Sequence, residues 1–385
     1  MNHFLDIDTR IIRIIKDLQD AGYETYVVGG AVRDLLLGYE PKDYDISTAA
    51  TPEQICSVFG RRHTMIIGKR FRLVHYRLGR EIIEISTFRR SPGKNTVRKH
   101  PKFAELPSKM IIDDNNFGTS EEDAFRRDFT VNALFYDPVK QEIIDYTGSG
   151  LDDIKSKTVR VIGDPDVRFE EDPVRMLRAL KLIGRFGFAL ESNAENSLFA
   201  NMDKIRHVPI SRMTLELEKV LSSCHIDTMF EAFHDFGLLP YFLPFFAQHW
   251  GTPESEYALD LIYERNCQVS AGELRNSISL AMACLTLPFI QKDVENGRYR
   301  VSMASSNIIN QAFKPQTMVK RLLFAAEKTV NIYLTDKKIR KSQAHASSYK
   351  HAAELRNIIN RVNSQKSKNA IQYELDLTDK TNTEE

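Results

Sequence analysis

At 385 residues, with 42% apolar and 27% charged side chains, the chain has the balance of a folded protein and length enough for two or three domains. Its 53 Lys and Arg against 52 Asp and Glu leave a net charge of +1, so overall charge selects no partner. Four scattered cysteines (Cys56, Cys224, Cys267, Cys284) form no CxxC pair, which argues against a disulfide framework or zinc ribbon, fits a reducing cytoplasm and leaves no disulfide-linked partner to expect.

The N-terminus carries Asp6 and Asp8 where a signal peptide has bases. No apolar run nears the ~20 residues that span a bilayer. The most apolar stretch, Leu238 to Ala247, is interrupted by Pro240 and Pro244, so no membrane partner is expected.

From Asp8 to Asp20, Ile11, Ile12, Ile14, Ile15 and Leu18 recur at helical spacing and predict an amphipathic helix that Gly22 ends. Tyr23 to Val28 is a β-branched and aromatic run, a strand, closed by Gly29-Gly30. Ala31 to Leu37 reads as a short helix, Asp43 to Ile46 as a strand, and Thr51-Pro52-Glu53 opens another helix. Phe71 to Leu78 and Glu81 to Phe88 flank Gly79-Arg80 as a hairpin. Ser91 to Asp123 is polar and aperiodic, a long loop. Beyond Asp128 the pattern is mostly helical: Pro173 to Phe186, Ser211 to Ser222, Thr228 to Phe236, Glu256 to Arg265, Glu273 to Leu285, Pro315 to Leu334 and Ser347 to Val362. The last twenty or so residues are polar and read as disordered.

Net neutrality conceals two basic blocks. Arg61 to Lys102 holds 13 Lys and Arg against two carboxylates, and Lys314 to Ala370 holds 13 against three. Such blocks are ordinarily solvated faces, but two of them suit a polyanion.

Asp43-Tyr44-Asp45 is the chemical centre. On a strand, alternation puts Asp43 and Asp45 on one face. Neighbouring carboxylates repel unless a cation lies between them, and oxygen-only ligands suit Mg²⁺. The ordinary alternative for a lone DxD is a turn or cap. Glu84, in the strand Glu81 to Ser86, is an acid among isoleucines and a candidate third ligand. Upstream, Gly29-Gly30-Ala31-Val32-Arg33-Asp34 joins strand to helix. Its glycines let the backbone approach a ligand and its free N–H groups attract phosphate. Arg33 adds a charged fork, or is simply a surface arginine.

Gly29-Gly30-x-Val32-Arg33-Asp34 followed by Asp43-x-Asp45 resembles the head of the class II nucleotidyltransferases, which comprise tRNA CCA-adding enzymes and bacterial poly(A) polymerases. Arg126 to Leu134, Asp145-Tyr146-x-Gly148 and Glu171 to Ala179 match in order, so the resemblance covers residues 20 to 240. It implies an α+β fold: a nucleotidyltransferase head with a small mixed sheet (1–148), then an all-helical neck with a base-binding motif (149–222), body (223–310) and basic tail, a candidate RNA-binding element (311–370), before a disordered end (371–385).

The resemblance further implies that Asp43 and Asp45 hold catalytic Mg²⁺, with Glu84 as third acid, and that Arg33, Gly29 and Gly30 grip the triphosphate. Asp128 and Asn132, four apart on a helix, would lie at the ribose, and Arg127 would reach phosphate. Asp172 and Arg175, with Arg178 nearby, would read the base in place of a nucleic-acid template; the ordinary alternative is an intrahelical salt bridge. The implied reaction is attack of an RNA 3′-hydroxyl on the α-phosphate of ATP. Ile66 to His75, Glu84 to Arg89 and Asn115 to Ala124 resemble the poly(A) polymerases more than the CCA-adding enzymes, with departures at Tyr76 and Ile85-Ser86. Lys69, Arg70 and Arg72 are then candidate RNA contacts. Two rivals are an HD-type phosphohydrolase, from His234-Asp235, and an RNA-binding protein with an inert head.

Overall fold

A computed structural model describes residues 5–68, 72–90, 116–313, 319–335 and 347–381, with side chains to 366. The chain divides into two compact units, 1–207 and 208–385. The boundary therefore falls inside the neck drawn at 149–222, most of which packs with the head.

In the first unit, α1 (Thr9–Asp20) starts at Asp8, whose carboxylate accepts from the Arg10 amide, and buries Ile11, Ile14, Ile15 and Leu18. Next come β1 (Thr25–Val28), α2 (Gly30–Leu36), β2 (Asp45–Thr48) and α3 (Pro52–Phe59), the last opened by a Thr51/Gln54 capping box. Then β3 (Thr64–Ile67), β4 (Leu73–Leu78) and β5 (Glu81–Thr87) complete the expected hairpin with one strand more. The long loop ends sooner than Asp123. Thr119 and Glu122 cap each other reciprocally and start α4 (Ser120–Phe125), while residues 91–115 lie outside the described ones.

The largest departure from the sequence reading follows Asp128. Instead of helix, β6 (Leu134–Asp137) and β7 (Glu142–Asp145) form a hairpin whose first strand is buried throughout. A strand covered on both faces shows no alternation, and its four residues are too few to exclude a helix. The seven strands make one mixed sheet, β3-β4-β5-β2-β1-β6-β7, parallel only between β2 and β5. Helices α5 (Gly150–Lys155), α6 (Pro165–Glu171), α7 (Val174–Phe186) and α8 (Ser192–Asn201) follow, and a two-residue parallel ladder, β8 (Thr158–Val159) with β9 (Ala189–Leu190), adds strand to the expected helical neck.

The second unit is helical: α9 (Ile210–Leu221), α10 (Ile226–Asp235), α11 (Leu239–Phe242), α12 (Pro244–Gln248), α13 (Pro253–Ser270), α14 (Ile278–Glu295), α15 (Val301–Phe313), α16 (Lys320–Thr335) and α17 (Ser347–Thr381). Helix α14 is its axis, buried at every residue from Leu280 to Ile290 and packed on α13, α15 and α16. It begins after the Ser277 cap and not at Glu273. Helix α17 runs through the acidic segment expected to be disordered; no glycine or proline interrupts it from Ser347 to Thr381. Among the described residues no helix is long and apolar enough to cross a membrane.

Candidate active site

Strand register assembles the acids. One row of paired residues crosses all seven strands: Met65, His75, Glu84, Asp45, Val28, Phe135 and Ile144. Directly paired residues share a face, so Asp45 and Glu84 stand side by side. Both are exposed, whereas Val28 and Phe135 are buried, and the row turns from wet to dry between β2 and β1. Asp43 is also exposed but precedes β2 in a bend, so strand alternation does not set its direction. His75 Nε2 lies 3.4 Å from Glu84 Oε1.

Val28 ends β1 at this row, and Gly29 turns the chain into α2 with φ +72°, ψ −128°. Only glycine takes this conformation without strain. Arg127 adds a second reason: a Cβ at Gly29 would lie 2.9 Å from its Nη1. The guanidinium and the glycine turn therefore touch. Arg127 also donates to Asp123 Oδ2 (2.9 Å) and the Asn132 carbonyl (3.3 Å), while its buried Nε has no partner among the described residues.

Arg33 is turned inward and is only 7% exposed. Its Nε and Nη2 donate to Asp34 Oδ1 at 2.9 and 2.5 Å, and its Nη1 donates to Asn132 Oδ1 at 2.5 Å. The guanidinium lies 4.9 Å from the Phe186 ring centroid. Asp34 Oδ2 accepts from Arg185 at 2.8 Å. So Arg33, expected at a triphosphate, is committed to Asp34 and Asn132.

The Asn132 amide has one possible orientation here, because arginine can only donate and a carboxylate can only accept. Its Nδ2 donates to Asp128 Oδ1 at 3.0 Å, and Asp128 Oδ1 also accepts from the Phe129 amide at 2.9 Å. Asp128 and Asn132 are not on an α-helix; a bend and the 3₁₀ turn Thr130–Asn132 bring them together. Burial would raise the Asp128 carboxyl pKa, but Arg178 with its Nη1 3.6 Å away, the Asn132 bond and Arg175 outweigh this and hold it below the usual value.

Arg185, Asp34, Arg33, Asn132, Asp128 and Arg178 thus form one line of alternating donors and acceptors between α2, the 3₁₀ turn and α7. Asp34 stands in the sequence motif, but its pairing with Arg185 was not legible because the partners are 151 residues apart.

Pro173, read as the first residue of this helix, is instead the N-cap of α7, and Asp172 closes α6, accepting at Oδ1 from the Val174 amide at 3.3 Å. Arg175 is 5% exposed and donates to the Arg168 carbonyl (2.7 Å) and Glu171 Oε2 (3.3 Å). Arg168 in turn donates to the carbonyls of Arg126 and Arg127 at 2.6 and 2.5 Å. These contacts clamp the start of α7 to the Arg127 segment. Arg72 pairs with Glu53, and Lys69 and Arg70 lie outside the described residues.

Asp43, Asp45 and Glu84 offer only hard oxygen donors, the set magnesium takes, on an exposed rim where substrate oxygens can complete the coordination. They fit an open site. Among the described residues no three His, Cys, Asp or Glu side chains are gathered closely enough to form a metal cage unaided. The HD rival gains nothing: His234 bonds Asp235 at 3.2 Å and stacks on Trp250 with centroids 4.4 Å apart.

The sequence model described as "Poly A polymerase head domain" matches residues 25–160, and that described as "Probable RNA and SrmB- binding site of polymerase A" matches 187–249. "Poly(A) polymerase I" of Salmonella typhi is 31% identical over 330 residues, 82% of this chain and 70% of that protein. The chain belongs to the poly(A) polymerase and CCA-adding nucleotidyltransferase family. A family member from Haemophilus influenzae, also "Poly(A) polymerase I", is 37% identical over 257 residues, 67% of this chain, and the chain spans 56% of that relative's length. The family's "CCA-adding enzyme" of Lactobacillus helveticus is 34% identical over 230 residues, 60% of this chain and 54% of that protein. The fold agrees with the family: a Bacillus stearothermophilus CCA-adding enzyme solved with CTP superposes with a TM-score of 0.63 over 91% of this chain and 78% of that one, at 24% identity.

Proposed function

We propose that the chain transfers AMP from ATP to RNA 3′ ends, with the rim of Asp43, Asp45 and Glu84 and the adjoining Gly29-Gly30 turn as the reacting centre. The 3′-oxygen of the RNA bonds to the α-phosphorus while the bond to the β-phosphate oxygen breaks, releasing pyrophosphate. Asp43 and Asp45, with Glu84 as a third donor, would hold magnesium, which would supply neutralisation of phosphate charge and a lowered pKa for the attacking hydroxyl.

The other roles belong to the chain's own groups. The Gly29-Gly30 backbone and the Arg127 guanidinium receive the triphosphate, and α2 starts where anions are favoured. Asp128, an ionised acceptor, and Asn132 take the ribose hydroxyls, which distinguishes ribonucleotides. Arg33 acts at one remove, holding Asn132 in the orientation that serves Asp128. Asp172, Arg175 and Arg178 select the base, with Arg175 leaving Glu171 to do so. Catalysis on this account is positioning plus charge neutralisation.

One observation supports the reading above the rest: Val28, Asp45 and Glu84 share a register row, and the glycine turn begins one residue beyond it. The identity over 330 residues with a protein named poly(A) polymerase I favours adenylate addition. CCA addition is the second reading, supported by relatives named CCA-adding enzyme at 34–36% identity. The two are separated by offering each of the four nucleoside triphosphates to oligo(A) and to a tRNA lacking its CCA end. A long A-only ladder on both RNAs is expected. One to three additions confined to the tRNA overturn the first reading in favour of the second.

A further inference from the structure

From Asn296 to Ala326 the chain carries five Lys and Arg and no carboxylate. The next residue, Glu327, breaks that pattern on α16. It has no ion-pair partner among the described residues, although Lys328 follows it, and partial burial raises its carboxyl pKa. An acid in a basic surface with no cation to satisfy it calls for a ligand that donates.

Glu327 lines a cleft of about 290 Å³ against α17, together with Phe324, Lys328, Asn331 and Tyr349. Phe324 is 65% exposed, the most exposed large apolar side chain among the described residues. Phe324, Lys328 and Asn331 recur at helical spacing and so share one face of α16. The Asn331 amide meets the Ser305 hydroxyl at 2.8 Å, and since that hydroxyl has one proton and also bonds the Val301 carbonyl at 2.8 Å, either orientation of the amide leaves at least one N–H that Ser305 does not use. Lys328 Nζ stands 5.9 Å from the Tyr349 ring centroid.

We propose that this cleft binds an adenine base of the single-stranded RNA substrate, a step that rests on the reading of the chain as an RNA-modifying enzyme. The volume, at the low end of the ~300–1,000 Å³ of small-molecule sites, suits one flat heterocycle. Phe324 supplies the stacking face. Glu327 accepts from the exocyclic amine, the Asn331 amide donates to the adjacent ring nitrogen, and Lys328 meets the flanking phosphate. Uracil, which presents a carbonyl and an N–H in those places, meets the wrong partners.

The test measures binding of the full chain to fluorescent oligo(A), oligo(C) and oligo(U) at fixed salt. Phe324→Ala removes an exposed ring, so the core is untouched, and weakens oligo(A) by about tenfold, near the low end of one base stack. Glu327→Met separates recognition from charge. By charge alone, deleting an acid from a basic surface tightens every RNA. By the proposal it weakens oligo(A) about tenfold, oligo(C) in parallel because cytosine carries the same amine and ring nitrogen, and leaves oligo(U) unchanged or tighter. Unchanged or tighter oligo(A) binding in Glu327→Met, or unchanged binding in Phe324→Ala, overturns the cleft while extension by the parent chain still upholds the reaction. A parent chain that neither binds nor extends RNA overturns both.

Discussion

Removing the Asp34 carboxylate tests the line of side chains that joins α2 to α7. Asp34 is 4% exposed and serves two guanidiniums, Arg33 at 2.5 and 2.9 Å and Arg185 at 2.8 Å. Asp34→Ala leaves Arg33, itself 7% exposed, as a buried cation without its counter-ion. Breaking a buried pair in this way costs about 3–5 kcal/mol. Arg33 keeps Asn132 and the Phe186 face, so the low end applies, about 3 kcal/mol. At roughly 2–4 °C per kcal/mol for a unit of this size, the melting temperature falls by about 6–12 °C. Asp34→Asn keeps one acceptor and falls between. The paired change Arg33→Met with Asp34→Leu removes both charges and returns most of the loss, because apolar replacements of a buried pair are often neutral. Urea and thermal unfolding of the four proteins measure this. A loss below about 1 kcal/mol for Asp34→Ala, or a double variant no more stable than Asp34→Ala, refutes the reasoning.

Three further outcomes follow from the same geometry. Asp43→Ala and Asp45→Ala each reduce primer extension by at least about a hundredfold without moving the melting temperature, since both side chains are exposed; activity within fivefold of the parent contradicts their assignment. Gly29→Ala strains the left-handed turn and brings a methyl group 2.9 Å from Arg127 Nη1, so KM for ATP rises more than kcat falls, and steady-state kinetics showing the reverse split would count against a phosphate role. Burial alone would raise the Asp123 carboxyl pKa, but Arg127 and Arg126 outweigh it and hold it low. A depressed folded pKa contributes stability that is present above the unfolded value near 4 and is lost as pH falls toward the folded one. Asp123→Asn therefore flattens the decline of stability with acid below pH about 4, as read from melting temperatures across pH 2.5–7.

The first helix, the glycine turn and the capped α3 were legible because each is decided locally, by spacing or by a cap. The acids at 43, 45 and 84 could be picked out of the sequence as candidates, but their arrangement could not. Asp43 falls outside the strand that alternation gave it, and Glu84 reaches Asp45 only through parallel pairing of β5 with β2. Strand β6 was hidden because burial on both faces erases its alternation. What sequence could not convey was the fate of the arginines. Arg33 and Arg175 were read as open to ligand, yet both are buried against partners, and Arg33 owes its direction to Asn132, 99 residues away.

The seven-membered row has a consequence for synthesis. Its members come from strands scattered between residues 64 and 145, and Arg185 arrives later still. At about 5–20 residues per second, roughly 8–30 seconds separate emergence of Gly29 from that of Arg185. For the first part of that interval β1 lacks its β6 neighbour, which emerges with Leu134, and for all of it Asp34 lacks its second cation. A chain ending before α7 therefore holds all seven strands of the sheet yet leaves Asp34 with Arg33 as its single cation, so the sheet can close before the line of charges that joins it to α7.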